Sequence, residues 1–218
     1  MRDIGSAILF GILIPILGLM LVAGCAPQVS AREKPMQAMS DDQFWALVDR
    51  SAAHEADPGR QMAVLAAELD KLSPEAVMAF EFAFYKQMTR AYDLDLWGAA
   101  YVINGGASDD GFEYFRRWLI SRGRTTFEGA LADPDSLADR LPRSPEGPAE
   151  FEEFSYVAMD VWTRKTGKSP DDFGALTVDA MMAMTDAEPS GEPFEEDEDA
   201  LAARYPKLWA RFGENPLG

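Results

Sequence analysis

Histidine and cysteine are almost missing from this chain of 218 residues: His54 and Cys25 are the only ones. One histidine excludes a multi-histidine zinc site, and one cysteine excludes a disulfide framework. His54 stands beside Glu55 near the polar end of the first predicted helix, the position of a solvated surface histidine rather than a catalytic base. A serine hydrolase would need that histidine and a G-x-S-x-G elbow, and the elbow is absent. No Lys-Ser or Lys-Thr follows the glycines at 105–111, so there is no P-loop. Asp93-x-Asp95-x-x-Gly98 opens like a calcium loop, but Trp97 and Asn104 stand where an oxygen ligand and a glutamate are needed. Neither a metal nor a cofactor is expected. Basic residues are few, 20 Lys and Arg against 37 Asp and Glu, for a net charge of −17. Such a chain is repelled by nucleic acid and by anionic head groups, so neither is an expected partner. Period-two runs of β-branched residues and internal repeats are also missing.

What is present begins at the N-terminus. Ile4 to Val22 is an almost unbroken apolar run behind Arg2, closing on Val22-Ala23-Gly24-Cys25 before the chain turns polar. This pattern is an export signal over residues 1–24. Its last four residues resemble the lipobox of bacterial lipoproteins, which implies cleavage before Cys25 and a diacylglycerol on its sulfur. Two or more acyl chains such as palmitate, at about 0.8 kcal/mol per buried methylene, anchor stably. Residues 25–38 then form a lipidated, flexible tether. Because Ala26 rather than Asp follows the cysteine, the resemblance implies the periplasmic side of the outer membrane in a diderm envelope. Two other readings stay open: an uncleaved membrane anchor, and a cytoplasmic protein whose translation starts at Met36 or Met39.

About 190 residues remain after the signal, enough for one domain with a real core. The mature net charge is still −17, because Arg2 and Asp3 leave together. The spacing predicts helices almost throughout 39–218. Ser40-Asp41-Asp42-Gln43 reads as a capping box ahead of Phe44, Leu47 and Val48. Asp57-Pro58 and Ser73-Pro74 open two further helices. A fourth runs near Leu94–Asn104 and ends on Gly105-Gly106, and Ser108 caps a fifth that Gly123 stops. A short helix near Thr125–Ala132 follows, then a connecting loop over 140–147. Beyond the loop, 149–166 reads as one helix and Ser169-Pro170 as the start of another. Glu188 to Asp199, with seven acids and no base, reads as a solvated loop. A last helix over 201–212 should break at Pro206. The expectation is a single all-α, multi-helix globular domain with an αα-hairpin at its centre.

The densest block runs from Asp95 through Leu137 and includes Trp97-Gly98-Ala99-Ala100-Tyr101, Asn104-Gly105-Gly106 and Ser108-Asp109-Asp110-Gly111-Phe112. With Phe44–Asp49, Glu153–Ala158 and Arg204–Trp209, it resembles the bacterial domain-of-unknown-function 4240 family. That family carries no assigned activity, and its members usually begin near the equivalent of Met39 without an export signal.

Two readings of the hairpin follow. In one it is a packing motif rich in aromatics. In the other, Trp97, Tyr101, Asn104, Asp109, Asp110 and Tyr114 line a ligand site at its mouth. Aromatics beside carboxylates would suit a cationic or sugar-like ligand. Met181, Met182 and Met184 could hold copper(I), although core filling on an Ala-rich helix is the simpler account. The expected function is a lipid-anchored envelope binding or interaction module, taking a small ligand or a basic envelope protein. The alternative is an enzyme acting through Asp109, Asp110 and Glu113, for example on glycans.

Overall fold

Polar side chains that accept a backbone N–H start most of the helices. In the computed structural model, which describes residues 39–141 and 147–218, α1 spans Asp41–Ala52 behind the reciprocal Ser40–Gln43 capping box. Helix α2 (Pro58–Leu69) is capped by Asp57 and α3 (Pro74–Arg90) by Ser73, each with proline as its first residue. Cys25, the export run, the tether and residues 142–146 of the predicted loop lie outside the described residues. The described residues fall within one compact unit, Met36–Gly218.

Helices α4 (Leu94–Asn104) and α5 (Asp109–Ser121) form the expected αα-hairpin. Gly105 and Gly106 turn it at φ 74° and 144°, conformations that a Cβ strains. Ser108 Oγ accepts from Gly111 N at 3.2 Å to begin α5. Ser108→Ala should therefore cost about 1 kcal/mol in chemical denaturation, with the fold retained. Next come α6 (Arg124–Ala132) and α7 (Leu137–Arg140). After the loop lie α8 (Val157–Thr166), α9 (Pro170–Thr185), α10 (Glu198–Arg204) and α11 (Pro206–Phe212). Among the described residues there are eleven α-helices and no strand. The chain is all-α, and the last helix breaks before Pro206 as expected.

Aromatic rings fill the core. Phe44, Trp45, Phe80 and Phe127 tie α1, α3 and α6 together at ring separations near 5 Å. Phe112, Phe115 and Trp118 run along the inner side of α5. Arg116 is buried with them. Its guanidinium lies 4.6 Å from the Tyr92 ring centre and 5.2 Å from that of Phe112, and Nη1 donates to Met88 O at 3.0 Å.

One stretch differs from the sequence expectation, and a second carries contacts beyond it. The single helix expected over 149–166 becomes a 3-10 turn at Glu152–Tyr156 followed by α8. Ala149 N donates to Asn104 Oδ1 and Phe151 N to Tyr114 O, so this backbone is bonded to the hairpin instead of to a helix of its own. The acidic stretch over 188–199 is the exposed loop expected as far as the start of α10, and hydrogen bonds that its composition does not announce tie it down. Ser190 N donates to Tyr92 O and Leu94 N to Ser190 O, while Arg204 donates to the carbonyls of Glu192 and Pro193.

Candidate functional site

The six residues singled out at the hairpin mouth separate into two groups. Trp97, Tyr101 and Asn104 belong to α4. Trp97 stacks on Phe112 with centroids 4.7 Å apart, and its Nε1 donates to Ala107 O at 2.9 Å, bracing the turn from inside. The Tyr101 hydroxyl donates to Glu196 Oε2 at 3.2 Å, and its ring meets Phe194 of the acidic stretch. Asn104 is buried and holds Ala149 N through Oδ1, while Nδ2 has no partner among the described residues. These three direct most of their polar atoms inward or onto the chain's own acidic stretch.

Asp109, Asp110 and Tyr114 stand differently. The two aspartates are exposed in the first turn of α5, where carboxylates suit the helix dipole. Helical spacing lines up Asp110, Glu113, Tyr114 and Arg117 on one face of α5. Arg117 pairs with Glu113 through Nη2 and donates from Nη1 to Glu152 O at 3.3 Å. Its guanidinium carbon lies 5.4 Å from the Tyr114 ring centre. Glu152 accepts from the Tyr156 hydroxyl at 2.5 Å. Glu150 closes on the same turn, since a Cβ placed on Gly111 would sit 3.6 Å from its Oε1. Glu152 above all, then burial and Asp110, push the Tyr114 phenol above its ordinary pKa. That direction reports a negative potential around a partly exposed aromatic ring.

Beneath this face lies a pair the sequence reading missed. Glu81, on α3, is 4% exposed, and burial raises its carboxyl to a pKa of about 7. A hydrogen bond from Tyr85, one turn on, and the charge of Arg117 oppose the rise without cancelling it. The Tyr85 hydroxyl is pushed up by burial and then by Glu81, while Thr177 of α9 acts the other way. The available signal was local: Glu81 is the single charged residue in Ala76–Tyr85, an otherwise apolar and aromatic run. Arg117 Nε is buried with no hydrogen-bond partner among the described residues. The seam thus carries one neutralisable carboxyl inside and a rim of carboxylates outside.

Among the described residues, no three His, Cys, Asp or Glu side chains converge as a metal site would require. The methionine cluster divides: Met184 is buried, whereas Met181 and Met182 are exposed.

The family model described as a protein of unknown function (DUF4240) matches residues 39–164, from the residue before the Ser40 cap to α8. The chain belongs to the DUF4240 family. The match takes in the whole hairpin, Glu81, Arg117 and the Glu152–Tyr156 turn. It ends before α9, so the Arg204–Trp209 stretch lies outside it. No curated protein and no solved structure is significantly similar to the chain.

Proposed function

We propose that this DUF4240 protein is a lipid-anchored envelope module that binds a cationic ligand and performs no chemistry on it. The ligand is a small amine or the basic side chains of an envelope protein. The anchor reading rests on Val22-Ala23-Gly24-Cys25 behind the apolar run. One observation carries the binding reading: the partly exposed Tyr114 ring lies among Glu152, Asp110 and Glu113, which with burial push its phenol up against the opposing charge of Arg117. An amine set against that ring gains both the aromatic face and the carboxylates. The carboxyl held near neutrality, which an acid–base enzyme would want at its surface, is Glu81, and it lies sealed in the interior.

Spermine, a small polyamine without an apolar face, is the probe for the full chain. Asp110→Asn and Tyr114→Ala should each weaken its binding at least fivefold in a calorimetric titration. Asp199→Asn removes the same charge elsewhere and should leave the affinity within twofold. Equal losses at Asp110 and Asp199 would mean diffuse charge attraction and would overturn the reading. The anchor has its own test, the intact mass of native protein extracted from membranes. Cys25 as first residue plus lipid is expected; a species starting at Met36 or Met39 would remove the envelope.

A further inference from the structure

Helix α9 turns Phe173, Thr177 and Met184 inward against α3 and α8. It leaves four large apolar side chains in solvent: Leu176 at 55% exposure, Met182 at 46%, and Val178 and Met181 at 40% each. Val178, Met181 and Met182 stand at i, i+3 and i+4, and so form one stripe, which exposed Gly174 and Ala175 continue a turn earlier. Exposed apolar residues scattered singly need no explanation, but a continuous stripe does. Methionine adds a flexible, polarisable surface that adapts to a partner's side chains.

Charge decides what would cover it. From Pro170 to Ala203 the chain carries eleven acids and no lysine, arginine or histidine. Asp172, Asp179 and Asp186 recur every seventh residue and form an exposed row along one edge of the stripe. A second copy of this chain would bring the same carboxylates against these. An anionic membrane would be repelled in the same way. An occupant that meets both the apolar stripe and the acidic row needs an apolar face bordered by lysine or arginine at helical spacing.

We infer that the free side of α9 docks a basic amphipathic helix of a partner protein. The surface uses different residues from the Tyr114 site, requires an apolar contact that a small amine lacks, and lies outside the family match.

The test uses the full chain and two 18-residue peptides of leucine and lysine. One places leucine at helical spacing, and the other has the same composition in an order that gives no apolar face. Fluorescence anisotropy should show the first binding at least tenfold more tightly than the second. Met181→Gln combined with Met182→Gln leaves the charge unchanged and should cost at least fivefold. Asp179→Asn combined with Asp186→Asn, which spares the Asp172 carboxylate that accepts from Ser169 at the start of α9, should do the same. Circular dichroism should be unaltered in both variants, and spermine binding unchanged, which separates this surface from the Tyr114 site. Equal binding of the two peptides, or indifference to the methionine changes, would overturn the inference. So would dimerisation of the chain alone, or its partition onto phosphatidylglycerol vesicles, if the methionine variants abolished it.

Discussion

Glu81→Gln should stabilise the protein at pH 8 by on the order of 3 kcal/mol relative to wild type, an advantage that fades on acidification and disappears near pH 4. The carboxyl is sealed inside the fold, and its pKa rises from 4.5 to about 7. Between those values the unfolded chain has released the proton and the folded chain still holds it. Stability therefore falls as pH rises through this window and levels off above about 7, the opposite of the usual salt-bridged carboxylate. A tenfold difference in proton affinity between the folded and unfolded chain is worth about 1.4 kcal/mol, which gives the magnitude above. In a chain of this size it amounts to roughly 6–12 °C in melting temperature. Glutamine keeps the shape and an acceptor for Tyr85 but cannot ionise. Any fixed difference between an amide and a protonated carboxyl is independent of pH, so the shape of the difference is the test. Melting temperatures of both proteins from pH 4 to pH 8 would supply it. A constant offset would mean that Glu81 is ionised throughout and held by Arg117 and Tyr85. Growing separation above pH 4.5 would locate the proton inside the α3–α5–α9 contact.

The helices were legible because their punctuation is local. Ser40, Asp57, Ser73, Ser108 and Ser169 each accept a backbone N–H within the first turn they open, and Gly105 ends α4 in the left-handed conformation that it favours. The failures were long-range. Nothing near Ala149 announces that Asn104, forty-five residues earlier, takes its N–H. Likewise the acidity of 188–199 says nothing about Arg204 reaching back to hold its carbonyls. The same distinction divides the candidate site. Trp97 and Asn104 were conspicuous by residue type, yet Trp97 braces a turn and Asn104 fixes a loop. Arg117 and Glu152 are ordinary surface letters that gain meaning only when the 3-10 turn lies against α5. Glu81 is intermediate, since a carboxyl alone among apolar residues is visible in one dimension while its seal under α9 is not.

The second large effect is expected where α4 meets the C-terminal helices. Gly98 lies mid-helix, where alanine in place of glycine ordinarily gains about 1 kcal/mol. Here the sign should reverse. A Cβ at this position would fall on the Tyr205 hydroxyl, 2.9 Å from Cζ, and 3.0 Å from Phe194 Cγ. Neither neighbour can yield alone. Tyr205 is buried and donates to Asp95 O at 2.9 Å, and the adjacent Arg204 pairs with Asp95 while binding the carbonyls of Glu192 and Pro193. Lifting Tyr205 therefore loosens Phe194 and the acidic stretch, and with them the seats of Leu201, Leu208 and Phe212. Gly98→Val should cost about 3–5 kcal/mol in urea denaturation and expose residues 186–200 to proteolysis under native conditions. Tyr205→Phe, which removes only the hydroxyl bond, should cost about 1 kcal/mol and leave that stretch protected. The decisive comparison is Gly98→Val with Tyr205→Ala. Once the ring is gone the valine has room, so the pair should cost clearly less than the sum of the single changes. Additive losses would instead mean that the two residues do not touch, and that α10 and α11 are held to α4 by other contacts.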